Sequence, residues 1–227
     1  NREFESGIAR LWEARKPPAL VAALLALVRA YNGNRTALER YPGSPWLARA
    51  RLRDDDGAYL FELHPAEHRA LVQSCAGDRR VTVLRQDGLE GAIGLVPPPE
   101  RRALVFIDPS YEIKDEHRAV IDALEKAHRR FATGVYAVWY PLIERRWVDR
   151  FERALRATGI APIDVYELSV APDARGRGLT GSGMAVVNPP WRLREELAAV
   201  LPWVADTLAP AHPVPPRIAE LAAARRA

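Results

Sequence analysis

Short apolar runs alternate with longer amphipathic segments between Ala58 and Gly159, and this alternation constrains the fold most strongly. The apolar runs are AYLFEL, RVTVLRQ, RALVFID and GVYAVWY. Segments with helical periodicity lie between and after them, including KDEHRAVIDALEKAHRRF and ERRWVDRFERALRATG. Strands that alternate with helices predict an α/β three-layer sandwich, in which helices cover both faces of a mostly parallel sheet.

Two regions depart from this alternation. Only a loop joins the last two predicted strands, PIDVYELSVA and GMAVVNP, so we expect this late pair to be antiparallel. The first ~50 residues show only helical patterns. The predicted organisation is therefore a helical subdomain over residues 1–53 and an α/β core over residues 54–227.

Composition and charge limit the classes of function. No apolar stretch reaches the roughly 18 residues that a membrane span needs, and the single cysteine, Cys75, favours a reducing cytoplasm. The scattered histidines predict no metal site. The net charge of +4 and the excess of arginine over lysine permit a nucleic-acid partner. A GC-rich genome would give the same arginine excess, so both explanations stay open.

Three consecutive predicted strands are followed by an acidic residue. Glu62 follows the first strand, Asp87 with Gly88 follows the second, and Asp108 ends the third. Ligands bind at the carboxyl ends of the strands in such sheets, and carboxylates accept hydrogen bonds from ribose hydroxyls or an adenine amino group. Each acid alone is explained as well by helix capping, but three at matching positions favour a ligand site.

The string Asp108-Pro109-Ser110-Tyr111 suits chemistry on an exocyclic amine. The Asp108 carboxylate and the Pro109 carbonyl can accept the two N–H bonds, and Tyr111 can stack on an unstacked base. This mode of catalysis relies on positioning and local electrostatics. The similar string Asn188-Pro189-Pro190-Trp191 follows the reversed strand, so we interpret it as structural, with Pro190 in the first turn of a helix and Trp191 packed.

The segment GRGLTG (Gly176 to Gly181) matches a dinucleotide-binding pattern but lies between two strands, where that pattern has no phosphate-binding role. We interpret it as a hairpin loop that carries Arg175 and Arg177. The loop is either a solvated turn or a mobile arm that touches RNA phosphates.

Seven segments together resemble the RlmJ-type ribosomal RNA adenine-N6 methyltransferases, which use S-adenosylmethionine. The segments occur in the family's order and are YPGSPWLAR, FELHP, QDG, IDPSYE, RFATGVYAVWYP, ATGI and GLTGSGMAVVNPPW. The resemblance implies a class I, Rossmann-like methyltransferase fold with a helical insert. The N-terminal helices of this chain would form most of that insert.

The resemblance also implies roles for individual residues. Ser44, Glu62, Asp87, Gly88 and Asp108 would surround S-adenosylmethionine, with Glu62 at the ribose and Asp87 at the adenine ring. In the catalytic loop, Asp108, Pro109 and Tyr111 would act on the target amine. The partner would be large-subunit (23S) ribosomal RNA, protein-free or in early assembly, and the protein a cytoplasmic monomer.

Two departures from the family pattern bear on activity. Ser110 stands where the family's loop has a second proline, and we expect this change to loosen the loop. The family's N-terminal portion, with the first strand and a glycine-containing loop, has no counterpart here, so we expect weak cofactor binding. The alternatives are a catalytically inactive RNA- or ribosome-binding remnant and a DNA adenine-N6 methyltransferase.

Overall fold

The computed structural model describes residues 7–111, 116–172, 178–209 and 211–224. The chain forms two compact units, a first unit over Asn1–Gly91 and a second unit over Ala92–Ala227. The predicted division at residue 53 stays a prediction. No helix among the described residues is both long and apolar enough to cross a membrane.

The described part of the first unit contains three helices in the region predicted to be helical. They are α1 (Ile8–Glu13), α2 (Ala19–Tyr31) and α3 (Ser44–Arg49). Buried Asn32, just after α2, fixes the following turn: its amide donates to the carbonyls of Val28 and Arg40, and its oxygen accepts the N–H groups of Glu39 and Arg40. This helical segment is joined to the rest of the unit by ion pairs and carbonyl contacts.

The joint is made by Asp78 and Arg80. The Arg80 guanidinium donates to the carboxylate of Asp78 at 2.8 Å and to the carbonyl of Leu52 at 2.7 Å, and Arg49 pairs with Asp78 at 3.6 Å. The two hydrogen bonds from Arg80 and its positive charge lower the pKa of Asp78 to about 2, despite partial desolvation of the carboxylate. Asp78 therefore stays ionised and keeps both arginines in place across the neutral range.

The remainder of the first unit follows the predicted alternation. It contains β1 (Ala58–Phe61), α4 (Pro65–Ser74), β2 (Val81–Leu84) and the start of α5 (Gly88–Leu95). β1 and β2 pair in parallel, with Phe61 opposite Leu84. An Asp-Gly pair is typical of a turn, and the sequence predicts that a loop opens at Asp87-Gly88, but this prediction is wrong because α5 begins at Gly88. Gly91 is required in α5 because a Cβ there would lie 2.3 Å from the Phe61 ring.

The described strands of the second unit form a five-stranded mixed sheet. Its elements are β3 (Leu104–Ile107), α6 (Glu116–Arg130), β4 (Val135–Leu142), α7 (Arg145–Ala157), β5 (Ile163–Ser169), β6 (Gly181–Val187), α8 (Leu193–Leu208) and β7 (Arg217–Ala222). The strand order is β3-β4-β6-β5-β7. β3 is parallel to β4, whereas β6 is antiparallel to both β4 and β5. The predicted antiparallel late pair is therefore confirmed.

The core of the second unit is built on β4. Tyr136, Val138 and Tyr140 alternate along this strand and are fully buried. The ring of Tyr140 lies so close to Gly183 on β6 that a Cβ at Gly183 would come within 2.2 Å of it. The sheet therefore has room for the tyrosine only because the neighbouring strand carries a glycine.

A buried charge network lies among β4, α7, β5 and β7. The carboxylates of Glu152 and Glu167 are nearly inaccessible to solvent. Arg145 donates to Glu167 at 2.8 Å and to Glu152 at 3.3 Å, and Arg217 donates to Glu167 at 2.7 Å and also bonds Glu152. The Tyr140 hydroxyl donates to Glu167 at 3.1 Å. The network thus compensates two carboxylates whose isolated burial would be costly.

Two sequence expectations for the C-terminal part are wrong. GMAVVNP was predicted as the last strand, but β7 follows α8 in the Pro- and Ala-rich tail and pairs antiparallel with β5. The helix expected from Trp191 begins at Leu193, so Pro190 precedes its first turn, and Trp191 is 91% exposed and not packed. Arg192 at the helix N-cap has a φ of +76°, which turns the chain into the helix.

Candidate active site

The loop that follows β3 in the second unit carries the predicted catalytic residues. Ile107 at the end of β3 is buried, and Asp108 directly after it is exposed. Among the described residues, no donor is bonded to the Asp108 carboxylate or to the Pro109 carbonyl. Both acceptors are therefore available to a ligand, and their predicted role in catalysis stays a prediction. Ser110 is exposed, and its N–H donates to no described backbone acceptor.

Tyr111 is held in a defined orientation by aromatic neighbours. Its hydroxyl donates to the carbonyl of Trp139 at 2.8 Å. Its ring centroid lies 5.9 Å from that of Trp139 and 5.3 Å from that of Trp147, which it meets edge to face. Trp147 in turn stacks on Phe151 at 5.6 Å. The backbone φ of Tyr111 is +52°, a left-handed conformation uncommon outside glycine.

Electrostatics around this loop disfavour additional negative charge. Partial burial raises the pKa of Asp108, although the residue as a whole is exposed. Burial, reinforced by the negative charges of Glu116 and Asp108, also raises the pKa of Tyr111, so the phenol stays protonated. One buried oxygen of the Glu116 carboxylate has no hydrogen-bond partner in the part of the chain that the structure describes. A ligand that brings N–H groups would suit this surplus of acceptors.

Glu62 and Asp87 lie at the same edge of the β1–β2 sheet in the first unit. Phe61 and Leu84 are paired, so Glu62 and Asp87 both follow the carboxyl ends of adjacent parallel strands. One oxygen of Glu62 accepts the N–H of His64 at 2.7 Å. One oxygen of Asp87 accepts the N–H groups of Leu89 and Glu90 at 2.8 and 3.2 Å. The capping role and the ligand role are thus compatible, because each carboxylate keeps a second oxygen.

The other predicted cofactor residues of the first unit, Ser44 and Gly88, form no side-chain hydrogen bond with Glu62 or Asp87. Gly88 is the first residue of α5, directly after the capping aspartate. Ser44 is exposed at the start of α3, and its hydroxyl is bonded to neither Glu62 nor Asp87. Their predicted contacts with a cofactor stay predictions.

Asn188 lies at the opposite edge of the sheet from Asp108. Its side-chain amide donates to the carbonyls of Ala132 and Gly134, both at 2.8 Å, just before β4 begins. The interpretation of this string as structural therefore agrees with its position. The predicted RNA-binding residues Arg175 and Arg177 lie outside the described residues, and that role stays a prediction.

Sequence reasoning missed the residues that support Tyr111. Trp139 is the sixth residue of an apolar strand run, and Trp147 is on the first turn of α7, positions at which an aromatic residue ordinarily packs in the core and draws no attention. A cue was available. β3 and β4 are parallel, so their carboxyl ends lie at the same edge of the sheet, with Tyr111 after β3 and the first turn of α7 after β4. Glu116 gave no cue because one acid in the first turn of a helix is ordinary.

Comparison with known proteins identifies the family. A family model described as "Ribosomal RNA large subunit methyltransferase D, RlmJ" matches residues 1–214. The curated protein "Ribosomal RNA large subunit methyltransferase J" of Haemophilus influenzae is 42% identical over 208 residues, which are 92% of this chain and 74% of that protein. The Escherichia coli protein of the same name is 42% identical over 209 residues, with the same coverage of each chain.

Solved structures agree with the fold. A Legionella pneumophila protein of known crystal structure is 33% identical and superposes with a TM-score of 0.89, over 97% of this chain and 81% of that one. A probable spermidine synthase from Corynebacterium glutamicum shares the fold alone, at 15% identity and a TM-score of 0.56, over 87% of this chain and 73% of that one. The predicted Rossmann-like methyltransferase fold is confirmed. The chain belongs to the RlmJ family of ribosomal RNA large subunit methyltransferases.

Proposed function

We propose that the protein transfers a methyl group from S-adenosylmethionine to N6 of an adenine in large-subunit (23S) ribosomal RNA. The observation that carries this proposal is the loop after β3. It offers two unoccupied acceptors, on Asp108 and Pro109, beside an aromatic ring that is already oriented. Family membership supports RNA as the substrate class, and the amine-directed loop favours the N6 position.

Asp108 and Pro109 act by holding the target amine. The N6 lone pair of adenine is delocalised into the ring, so the amine is a poor nucleophile. When the Asp108 carboxylate and the Pro109 carbonyl accept the two N–H bonds, the nitrogen is favoured in a tetrahedral geometry with its lone pair directed at the methyl carbon. The proton that the nitrogen loses after transfer passes to solvent.

Tyr111 provides the surface on which the flipped base rests. An adenine must leave its stack to reach a methyltransferase site, and an aromatic ring recovers part of the lost stacking energy. Trp139 and Trp147 hold the Tyr111 ring, so little ordering is required when the base arrives. The protonated phenol continues to donate to the Trp139 carbonyl because its pKa is raised.

The residues of the first unit fit S-adenosylmethionine chemically. The second oxygen of Glu62 suits a ribose hydroxyl, and the second oxygen of Asp87 suits the adenine amino group, with Ser44 and Gly88 as further contacts. When bound, the cofactor supplies an electrophilic methyl group on a positively charged sulfur, which leaves as a neutral thioether.

A methyl-transfer assay tests the proposal. Protein, isotope-labelled S-adenosylmethionine and protein-free large-subunit ribosomal RNA should yield N6-methyladenine at a single position. The same assay with duplex and single-stranded DNA measures the competing substrate class. Transfer only to DNA would assign a DNA adenine methyltransferase. RNA binding without transfer to any nucleic acid would identify an inactive binding protein. In the proposed function the protein acts as a cytoplasmic monomer.

A further inference from the structure

A stripe of three arginines runs along the outer face of α7. Arg146, Arg150 and Arg153 are all exposed. At 100° per residue they lie within about 60° of one another around the helix, and at 1.5 Å per residue they span about 10 Å along its axis. We call Arg146, Arg150 and Arg153 the α7 arginine stripe.

The other faces of α7 fix which way the stripe points. Val148, Phe151 and Leu155 are buried against the sheet, so the stripe on the far side faces solvent. Trp147, next to Arg146 in the chain, contacts the catalytic-loop tyrosine with a centroid distance of 5.3 Å. The first turn of α7 therefore lies beside the Tyr111 ring, and the stripe leads away from that edge.

The acids near the stripe are already paired with other cations. Asp149 accepts a hydrogen bond from Arg145 at 3.0 Å, and Glu152 is buried against Arg145 and Arg217. Among the described residues, Arg146 and Arg150 form no ion pair, and Arg153 bonds only the carbonyl of Asp149 at 3.2 Å. Exposed Glu144, before the helix, is one opposing charge beside a stripe of three.

The stripe borders an open groove of about 470 Å³. The residues that line it are Arg146, Asp149, Arg150, Glu152, Arg153 and Arg156. Four guanidinium groups line this groove, and its two acids are paired, Asp149 with Arg145 and Glu152 with Arg145, Arg156 and Arg217. This surplus of positive charge along about 10 Å of helix fits a chain of phosphates better than a single small anion. Guanidinium groups also bind phosphate oxygens in a bidentate geometry.

We propose that the α7 arginine stripe binds the phosphate backbone of the RNA next to the target adenine. This inference rests on the proposed function and names the surface that positions its substrate. The stripe contributes affinity and register without reading sequence, and the neighbouring aromatic residues receive the base.

Salt-dependent RNA binding tests the stripe. The triple variant Arg146→Gln, Arg150→Gln, Arg153→Gln should bind a protein-free large-subunit ribosomal RNA transcript on the order of 10- to 100-fold more weakly at ~0.15 M salt. The slope of log K against log salt concentration should lose about 2 to 3 units, at 0.7 to 0.9 per phosphate contact. Glutamine preserves helix propensity, so α7 should remain folded.

A matched variant loses the same charge elsewhere. Arg102→Gln, Lys126→Gln, Arg129→Gln removes three exposed cations before β3 and near the end of α6, at the other edge of the sheet. This variant should retain most of the wild-type affinity for the RNA transcript and nearly all of the slope of log K against log salt concentration. Equal losses in the two variants, or wild-type binding by the stripe variant, would overturn the proposal. If the wild-type protein binds the RNA without methylating it, the proposed function is refuted, but the comparison of the two triple variants still tests the stripe. If the wild-type protein binds no RNA, both the proposed function and the role of the stripe are overturned.

Discussion

Tyr111 combines a strained backbone with an unusually complete set of side-chain contacts. Its φ of +52° costs a non-glycine residue on the order of 1–3 kcal/mol, so the surroundings must enforce it. The hydrogen bond to Trp139 and the edge-to-face contact with Trp147 supply that constraint. The unfavourable backbone conformation at this residue allows the Tyr111 ring to take its orientation. Such local backbone strain is typical of functional loops.

Two substitutions at Tyr111 separate its anchor from its ring. Tyr111→Phe removes the bond to the Trp139 carbonyl, worth about 1 kcal/mol, and should lower kcat/KM for RNA about fivefold. Tyr111→Ala also removes the stacking surface, worth about 1–3 kcal/mol per base, and should lower kcat/KM by a further factor of about 5 to 150. Steady-state methyl transfer measures both. Equal activity of the two variants would show that the ring receives no base.

Asp108→Asn tests whether the carboxylate must be ionised. Partial burial raises the pKa of Asp108, so the acid limb of the wild-type pH–rate profile should lie above about 3.9, the ordinary aspartate value. Asparagine retains an acceptor oxygen without the charge, so activity should fall about tenfold, the difference between a charge-assisted and a neutral hydrogen bond. The variant's profile should lack that acid limb.

Stability provides the control for Asp108→Asn. A carboxyl group whose folded-state pKa is raised favours the folded state in its neutral form, and this contribution is lost as pH rises through the folded-state pKa. The asparagine variant should therefore be at least as stable as the wild type at neutral pH, by thermal unfolding. A marked loss of stability would assign the reduced activity to misfolding of the loop.

At the scale of elements, the local sequence pattern predicted the helices and strands that are determined by consecutive residues. The β–α alternation and the apolar strands are properties of consecutive residues, so most helices and strands were predicted to within a few positions. β7 was missed because Arg217–Ala222 carries little alternation of its own and becomes a strand by pairing with β5, more than fifty residues earlier. The reversed direction of β6 was predictable because a short loop precludes a crossover helix.

Arg217→Gln tests what holds β7 in the second unit. Among the described residues, Arg145 would then be the one cation shared by Glu152 and Glu167, and Arg156 would pair with Glu152 alone at 3.5 Å. Removing one partner of a buried charge cluster costs about 3–5 kcal/mol, and because Arg217 is about one-third exposed we expect the lower part of that range or somewhat less. Chemical denaturation measures the free energy of unfolding.

Arg192→Gln is the matched control for Arg217→Gln. Arg192 pairs with Glu195 and Glu196 at 3.7 and 3.9 Å on the surface, and exposed pairs at such distances contribute about 0–1 kcal/mol. Its loss should change stability by about 0.5 kcal/mol or less. Similar losses for the two variants would contradict a structural role for the buried network.

For the whole molecule, the sequence predicted where the acidic residues stand relative to the strands better than what surrounds them, and their membership of one ligand site stays a prediction. Glu62 and Asp87 follow the carboxyl ends of the parallel strands β1 and β2 in the first unit, and Asp108 follows the carboxyl end of β3 in the second unit, as strand order predicts. The supporting contacts of Trp139, Trp147 and Glu116 were not predictable, because they depend on how side chains from β4, α6 and α7 converge around one loop.

Ligand-induced stabilisation tests the cofactor residues in the intact protein. S-adenosylmethionine at 100 times its Kd should raise the free energy of unfolding by about 2.7 kcal/mol and increase Tm. Glu62→Gln and Asp87→Asn each retain the oxygen that caps the following turn and replace the second acceptor with an NH₂ donor. Both should fold normally and lose most of this shift.

The outcomes of the ligand experiment separate the competing functions. An undiminished shift in both variants would remove Glu62 and Asp87 from the cofactor site. No shift in the wild type, together with retained RNA binding, would favour the inactive binding protein. Thermal unfolding without ligand should give nearly equal Tm values for the three proteins, because the capping hydrogen bonds are conserved.

The capping bonds of Glu62 and Asp87 have a consequence for the entropy of ligand binding. Fixing a flexible side chain upon association costs about 0.5–1.5 kcal/mol. In this protein the backbone N–H groups of His64, Leu89 and Glu90 already restrict the two carboxylates before any ligand arrives. Much of this restriction is therefore already present in the folded protein. In the proposed function, the two carboxylates would lose little further rotational freedom when the cofactor binds.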